Sequence, residues 1–249
     1  MTLILTNVTP YGVVMAADDA LTERYGDFVR ILNGATKVFA HYGCHCALAT
    51  WGAGALPYRD PPYMPVAIEF ILRGFIRETS EVDRVEILLD GLVERLNGEY
   101  RRPNGPAMID VAGCKLVEGV WLPFAFQIGN SEDPYHWEPE IRSFRLRQMR
   151  QPAAFNISTD EYPIANGIVN TGYWADAYFD GMVAAAMSSE RADRVPGNTL
   201  EDRQAFLACA ARAVSDLHVA MDLSKSVSTR ISSVSISSAN GAVHPAFHF

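Results

Sequence analysis

The first strong pattern in the chain lies in residues 3–18, LILTNVTPYGVVMAAD, where two apolar runs flank a turn. Residues 9–12, TPYG, form the turn signal, because proline fixes φ at its own position and glycine relaxes the exit. Residues 13–17 are continuously apolar, as expected of a strand that is covered on both faces. The segment therefore predicts a hairpin of two strands at the start of the fold.

The rest of the chain predicts strands and helices in alternating groups. Strands are predicted at residues 37–42, 46–51, 108–116, 120–128, 141–146 and 232–237, and helices at 68–76, 85–96, 174–187 and 200–221. Helices that occur in pairs between groups of strands indicate an α+β fold. A four-layer αββα sandwich, with two antiparallel sheets between helical layers, would bury the first strands on both faces.

Several local signals predict where these helices begin and which face they bury. Pro65 suits a first turn, Ser80 is a predicted N-cap, and Thr199 followed by Asp202 resembles a capping box. Residues 18–36 are predicted to be a polar connection. The buried face of the last helix is predicted from its apolar spacing as Phe206, Ala210, Ala213, Val214, Leu217 and Met221.

The composition is that of an ordinary globular chain, which we expect to form a single domain over residues 1–249. The net charge of −8 argues against a nucleic-acid partner, because phosphate binding needs clustered Lys and Arg. With neither a signal peptide nor an apolar run of about 18 residues, we expect no membrane association and a cytoplasmic location. Cys44-His45-Cys46 lacks the spacing of a zinc site, so buried reduced thiols are the expectation and no metal is predicted.

Thr2 is the first candidate for chemistry, because removal of Met1 would expose its α-amine. A free N-terminal threonine carries a hydroxyl that can attack a carbonyl and an amine, of reference pKa about 7.7–8.0, that can act as its base. Taken alone, a Met-Thr start is more often explained without catalysis, because Thr is simply one of the small second residues that permit removal of Met1.

Three further residues strengthen this interpretation. Thr2 and Asp18 are equidistant from Pro10, so an antiparallel pair would bring them together within a residue of register. A charged Lys37 beside that carboxylate would ease deprotonation of a nearby hydroxyl. Gly52 could offer its N–H to a developing oxyanion. The alternatives are that Asp18 caps a turn and that Lys37 is a solvated edge residue, and a Gly-x-Gly such as Gly52-Ala53-Gly54 is a weak signal by itself.

These residues resemble the start of proteasome β subunits and of the bacterial HslV peptidase. The likeness lies in residues 2–5, TLIL, residues 12–18, GVVMAAD, residues 37–39, KVF, and residues 51–54, WGAG. It implies an N-terminal-nucleophile (Ntn) hydrolase in which Thr2 is the nucleophile, Asp18 orients Lys37, and Gly52 is the oxyanion donor. Beyond residue 55 or so, only the order of elements matches.

The same resemblance implies more distant site residues and partners. Thr171 would supply a hydroxyl near the threonine amine, and Asp222 with Ser226, or with Ser224, would form an acidic pair there. A homo-oligomeric ring, peptide or amide substrates and an unfolding ATPase are the implied partners, and no cofactor is implied. Asp19-Ala20 and the Pro- and Tyr-rich residues 56–65 depart from the family pattern.

Three other functions remain open on the sequence. The chain could be a catalytically inactive scaffold with a proteasome fold, which would keep Met1. It could be a small-molecule amidase that uses the same N-terminal chemistry. It could also be a non-enzymatic interaction module, which would form no covalent adduct with an electrophile.

Overall fold

The hairpin at the start of the chain forms as the sequence predicts. In this computed structural model the described residues are 3–9, 11–25, 28–32, 34–101, 103, 105–131, 141–148, 167–170, 199–220 and 230–248. The strands are β1 Ile4–Thr9, β2 Gly12–Asp18, β3 Leu21–Tyr25, β4 Phe28–Leu32, β5 Val38–His41, β6 Cys46–Gly52, β7 Ala55–Pro57, β8 Pro65–Ala67, β9 Ala107–Val117, β10 Val120–Ser131, β11 Ile141–Gln148, β12 Gly167–Asn170, β13 Ile231–Ser237 and β14 Val243–His248. The helices are α1 Ile68–Glu78, α2 Val85–Glu99 and α3 Leu200–Ala220.

Two five-stranded antiparallel sheets make up most of the described fold. The first sheet has the order β12-β1-β2-β13-β14 and the second has the order β11-β10-β9-β6-β5. Every strand pairing among the described residues is antiparallel, including two small sheets formed by β3 with β4 and by β7 with β8. The chain is therefore an α+β protein with two large antiparallel sheets, as the coarse prediction states.

The apolar run in β2 is explained by packing on both of its faces. Val13, Met15 and Ala17 join the core between the two sheets, together with Trp51 and Met108 of the second sheet. The alternate residues of β2, at positions 14 and 16, pack instead with α3. A strand covered in this way has no polar face, which accounts for its continuous hydrophobicity.

Helices α1 and α2 cover the other face of the second sheet. Their buried stripes, which include Leu72, Phe75, Leu89 and Leu92, pack with Leu48 and other residues of that sheet. The predicted four-layer arrangement has a pair of helices on the first sheet, of which α3 is one. The helix predicted at residues 174–187 lies outside the described residues, so the four-layer arrangement stays a prediction. None of the described helices is both long and apolar enough to cross a membrane.

Several local predictions differ from the structure. Residues 21–32, predicted to be a polar connection, contain the β3–β4 hairpin. Helix α2 begins at Val85 after Arg84, not at Ser80, and Pro65 lies in β8 rather than in a first helical turn. Thr199 does cap α3, since its hydroxyl accepts the Asp202 amide. The buried face of α3 includes Leu200, Arg203, Gln204, Leu207, Ala208 and Ala211. Of the predicted stripe, Phe206 and Ala210 are only partly buried against this core. The predictions for Val214, Leu217 and Met221 lie outside the side chains that the structure describes.

Candidate functional site

A buried ion pair joins the ends of the two sheets. Asp18 is the last residue of β2, and Lys37 immediately precedes β5. The Lys37 Nζ lies 2.8 Å from Asp18 Oδ1, and only 4% and 0% of the two side chains are exposed. Such a pair is stable only when hydrogen bonds satisfy both partners, because removing two charges from water is costly.

Backbone amides complete the hydrogen bonding of the Asp18 carboxylate. Oδ1 also accepts the Leu3 amide at 2.9 Å, and Oδ2 accepts the Ala20 amide at 3.0 Å. Ile4 is paired with Ala17 across the hairpin, so Leu3 is the residue opposite Asp18. The predicted pairing of Thr2 with Asp18 is therefore offset by one residue, within the margin stated for it.

Burial governs the electrostatics of Lys37. Desolvation lowers the pKa of Lys37 below its usual value, although the charge and hydrogen bond of Asp18 and the charge of Asp19 act to raise it. The net lowering means that the ammonium form is less favoured here than in water. Lys37 is thus a group whose charge depends closely on its carboxylate neighbour, and not the solvated edge lysine of the alternative interpretation.

The loop before Lys37 is held from two sides. Asp19 Oδ2 accepts the Gly34 amide at 2.9 Å, and the Asp19 carbonyl accepts the Ala35 amide at 3.1 Å. From the other side, Glu69 in the first turn of α1 accepts the Thr36 amide at 3.2 Å. The sequence analysis did not assign Asp19 a role. The Asp18-Asp19 doublet at the end of a buried strand was the available signal, because both carboxylates must find partners there.

Gly52 lies at the same end of the second sheet as Lys37. The Thr50 amide donates to the Lys37 carbonyl, and Gly52 follows Thr50 by two residues. Its φ of +87° lies in the left-handed region, and a Cβ placed there would lie 2.1 Å from the Pro106 carbonyl oxygen. The position therefore requires glycine, and the residue is exposed, as an approach to the backbone by a ligand would need.

The remaining site predictions fall outside the described residues. Thr2, Thr171, Asp222 and the serines at 224 and 226 are in this group, so the structure neither brings them together nor separates them. Strand β12 ends one residue before position 171, and its Asn170 pairs with Leu5 of β1. Of the seven predicted site residues, the described part of the chain thus brings together Asp18 and Lys37 and places Gly52 at the same end of the fold.

Comparison with known proteins finds a shared fold and no sequence family. No protein-family model matches the chain, and the search of curated proteins gives no match. Among solved structures, the Gly-1 mutant of Anbu from Hyphomicrobium sp. strain MC1 aligns with 99% of this chain and 87% of its own, with a TM-score of 0.54 and 12% sequence identity. A likeness at this identity concerns the fold alone. The chain therefore shares its fold with this Anbu structure.

The assignment to the proteasome β-subunit and HslV family is therefore wrong. No model of any family matches, and the fold match is to Anbu at an identity too low to show membership. The quoted residues explain how the resemblance arose. A run such as GVVMAAD is what a strand buried on both faces requires, and the structure accounts for it by packing alone. Short buried motifs of this kind indicate architecture and do not identify a family.

Proposed function

We propose that the chain is an N-terminal threonine amide hydrolase, with Thr2 as nucleophile after removal of Met1. The observation that supports this most is the buried Asp18–Lys37 pair, whose carboxylate also binds the Leu3 amide at 2.9 Å. The Leu3 nitrogen belongs to the peptide bond that joins it to Thr2. The ion pair is therefore tied to the backbone directly beside the proposed nucleophile.

The proposed reaction proceeds in two balanced steps. The Thr2 hydroxyl attacks the amide carbonyl while its proton passes to the α-amine, and the resulting oxyanion accepts a hydrogen bond from the Gly52 amide. Collapse expels the amine, which takes the proton from the α-ammonium and leaves an ester on Thr2. Water, deprotonated by the same α-amine, then attacks the ester, and the acid is released as the α-ammonium returns its proton to the Thr2 oxygen.

Lys37 and Asp18 act in this scheme through their charge. A cation near the hydroxyl stabilises the alkoxide that develops during attack and favours the neutral form of the α-amine. Asp18 fixes the position of the cation through their 2.8 Å contact. We assign Thr171 as a hydroxyl near the amine, and Asp222 with Ser226 as an acidic pair that orients it.

We extend the proposal to the arrangement of the molecule. The fold is assigned as an αββα sandwich whose subunits form a closed homo-oligomeric ring, with peptide or amide substrates and an unfolding ATPase as partners. Large exposed apolar side chains support an assembly surface, since Tyr63, Met64 and Phe70 are 44%, 62% and 68% exposed within eight residues of sequence. Light scattering tests this part, and a monodisperse monomer contradicts it.

Intact-mass spectrometry tests the chemistry. The purified chain should lack the mass of one methionine, and an electrophilic peptide lactone should add once and only once. The adduct should be absent in Thr2→Ala and retained in Thr2→Ser. Thr199→Ala is the matched control, because it removes a described threonine hydroxyl that caps α3 and should leave labelling unchanged.

The same experiment separates the alternatives. A chain that keeps Met1 and forms no adduct is an inactive scaffold or an interaction module, and the proposal is then wrong. A chain that forms the adduct but hydrolyses only simple acyl amides, and no peptide in a panel, is a small-molecule amidase of the same chemistry.

A further inference from the structure

A cavity of about 370 Å³ lies between the end of α2, the middle of β11 and the segment that follows β7. None of the described site residues, Asp18, Lys37 and Gly52, is among the residues that line it. Small-molecule sites in proteins typically have volumes of about 300–1,000 Å³. The cavity is therefore large enough to hold a small ligand, and it is separate from the candidate site.

Hydrogen bonds hold the walls of this cavity in place. Residues 57–59 pair with residues 99–101 through two backbone hydrogen bonds of 2.8 Å each. On the other side, the Asn97 side chain donates to the Phe144 carbonyl and accepts the Phe144 amide, which ties the end of α2 to β11. The cavity is thus framed before any ligand arrives, as most ligand sites are.

Two arginines bring positive charge to the cavity. Arg59 and Arg101 both line it, and neither forms an ion pair with a carboxylate in the part of the chain that the structure describes. Glu99, the acid closest to Arg101 in sequence, pairs instead with Arg95 at 3.3 Å. Asp60, which follows Arg59, takes part in none of these ion pairs either. An anion that enters the cavity would therefore meet two cations that no described carboxylate neutralises.

The existing contacts of the two guanidinium groups leave donors for a ligand. The Arg101 Cζ lies 3.8 Å from the centroid of the Tyr63 ring, a stacking contact that uses the face of the guanidinium and not the N–H groups at its edge. Arg59 donates from Nη2 to the Asn97 carbonyl, which uses one of its several N–H groups. The planar fork of an arginine matches the two oxygens of a carboxylate.

The rest of the wall is largely apolar. Leu96, Tyr100 and Phe144 line the cavity and are buried, and Ser143 adds one hydroxyl. Mostly apolar walls with a few polar groups are typical of sites that bind organic molecules. A bare inorganic ion would leave these walls without an apolar partner, so the ligand that fits has an apolar body as well as a charge.

The local charge favours a ligand with a single negative charge. The aligned peptide dipoles place roughly half a negative charge at the C-terminal end of a helix, and the end of α2 forms one wall of the cavity. This partial charge offsets part of the field of the two guanidinium groups. A carboxylate is therefore favoured over a dianion such as a phosphate monoester.

We propose that this cavity binds a small organic carboxylate with an aryl or alkyl body. Arg59 and Arg101 hold the carboxylate, and the wall formed by Leu96, Tyr100 and Phe144 packs against the body of the ligand. The site goes beyond the proposed hydrolase reaction and does not depend on it, since it uses none of the residues assigned to that reaction.

A ligand-observed NMR titration of the full chain with 3-phenylpropanoate tests the site. We expect a Kd of about 1 mM or below at low ionic strength. Acetate lacks the body and 3-phenylpropanamide lacks the charge, so both should bind about tenfold more weakly or worse, and phenyl phosphate should also bind more weakly. Equal binding of the acid and its amide, no binding of the acid, or tighter binding of phenyl phosphate would overturn the proposal.

Two variants and a matched control locate the ligand. Arg101→Met should weaken binding about tenfold or more, because a charge-assisted hydrogen bond is lost. Ser143→Phe fills the cavity from an exposed position on β11 and keeps both arginines, so it should also abolish binding if Arg101→Met folds poorly. Arg84→Met removes an exposed arginine just before α2, about 18 Å from Leu96 along the helix, and should leave the Kd unchanged. If the two cavity variants fold as wild type by circular dichroism and bind with an unchanged Kd, the ligand lies elsewhere and the inference is wrong.

Discussion

Replacing Lys37 with methionine is the sharpest test of the buried ion pair. Methionine fills a similar volume without a charge, so Lys37→Met removes the cation and little else. The Asp18 carboxylate would stay fully buried and would still accept the Leu3 and Ala20 amides. The variant therefore measures how much the free energy of unfolding falls when the buried Asp18 carboxylate loses its cation.

The expected magnitude follows from burial. Removing one partner of a buried pair typically costs about 3–5 kcal/mol, because the remaining charge is uncompensated. Lys115 provides the matched control, since it pairs with Glu86 at 3.2 Å while the two side chains are 45% and 53% exposed. Surface pairs of that kind contribute about 0–1 kcal/mol, so Lys115→Met should be nearly neutral.

Thermal unfolding followed by circular dichroism at pH 7 measures both variants. For a chain of this size about 3–5 kcal/mol corresponds to a fall in Tm of roughly 6–20 °C, against a few degrees at most for Lys115→Met. Protein concentration must be matched, because oligomerisation changes the apparent stability. The double variant Asp18→Asn with Lys37→Met should recover only part of the loss: no buried charge remains, but the new side-chain NH2 group faces one of the two backbone amides that Asp18 accepts.

One result would refute this reasoning. If Lys37→Met and Lys115→Met unfold at the same temperature, Lys37 does not occupy a desolvated site beside Asp18. The mechanism proposed for this chain would then lose its cation, whatever the fold.

Three other predictions follow from single hydrogen bonds and one glycine. His41 Nδ1 accepts the Cys44 amide at 3.0 Å, and burial lowers the pKa of His41. The unfolded chain therefore takes up the proton first, so the free energy of unfolding falls as the pH drops below about 6.5. His41→Gln should flatten the dependence of urea unfolding on pH between about 5 and 7, and an unchanged dependence contradicts the assignment. The Asn97 side chain binds both the N–H and the carbonyl of Phe144 on edge strand β11, at 2.8 and 2.9 Å. Asn97→Asp should cost about 1–3 kcal/mol in urea unfolding because it leaves that carbonyl facing a carboxylate; equal midpoints would contradict this. Gly52→Ala should lower Tm, because φ there is +87° and the new Cβ meets a backbone oxygen at 2.1 Å; a Tm equal to wild type would show that the loop relaxes freely.

Most strands could be predicted because their signals are local. Turn residues and alternating polarity marked nearly every strand of the two large sheets, and pairing then followed from antiparallel neighbours. The β3–β4 hairpin was missed although LTERY and FVRIL alternate on either side of a Gly-Asp turn signal. Its charged residues suggested a solvated connection, and a two-stranded sheet needs no long apolar run to form.

The buried face of α3 could not be found from apolar spacing. Gln204 is buried in that helix because its side chain bonds to Ser233 at 2.9 Å and to Ser235 at 3.2 Å on the sheet below. The small residues Ala208 and Ala211 are also buried in this contact. A search for large apolar side chains selects Phe206 instead, because apolar spacing carries no information about the serines that hydrogen-bond the buried side-chain amide of Gln204.

The hairpin register was predicted with an offset of one residue, and the length of the hairpin loop explains this offset. Thr9 pairs with Gly12, so two residues close the turn and Leu3 lies opposite Asp18. The estimate centred on Pro10 placed position 2 opposite Asp18 and so missed the register by one. Because a strand has two faces, a slip of one residue turns every side chain of β1 to the opposite face. Val13 and Met15 pack between the sheets while Val14 packs with α3, so both faces of the hairpin oppose such a slip. The packing of both faces therefore fixes which of two adjacent carboxylates binds the Leu3 amide.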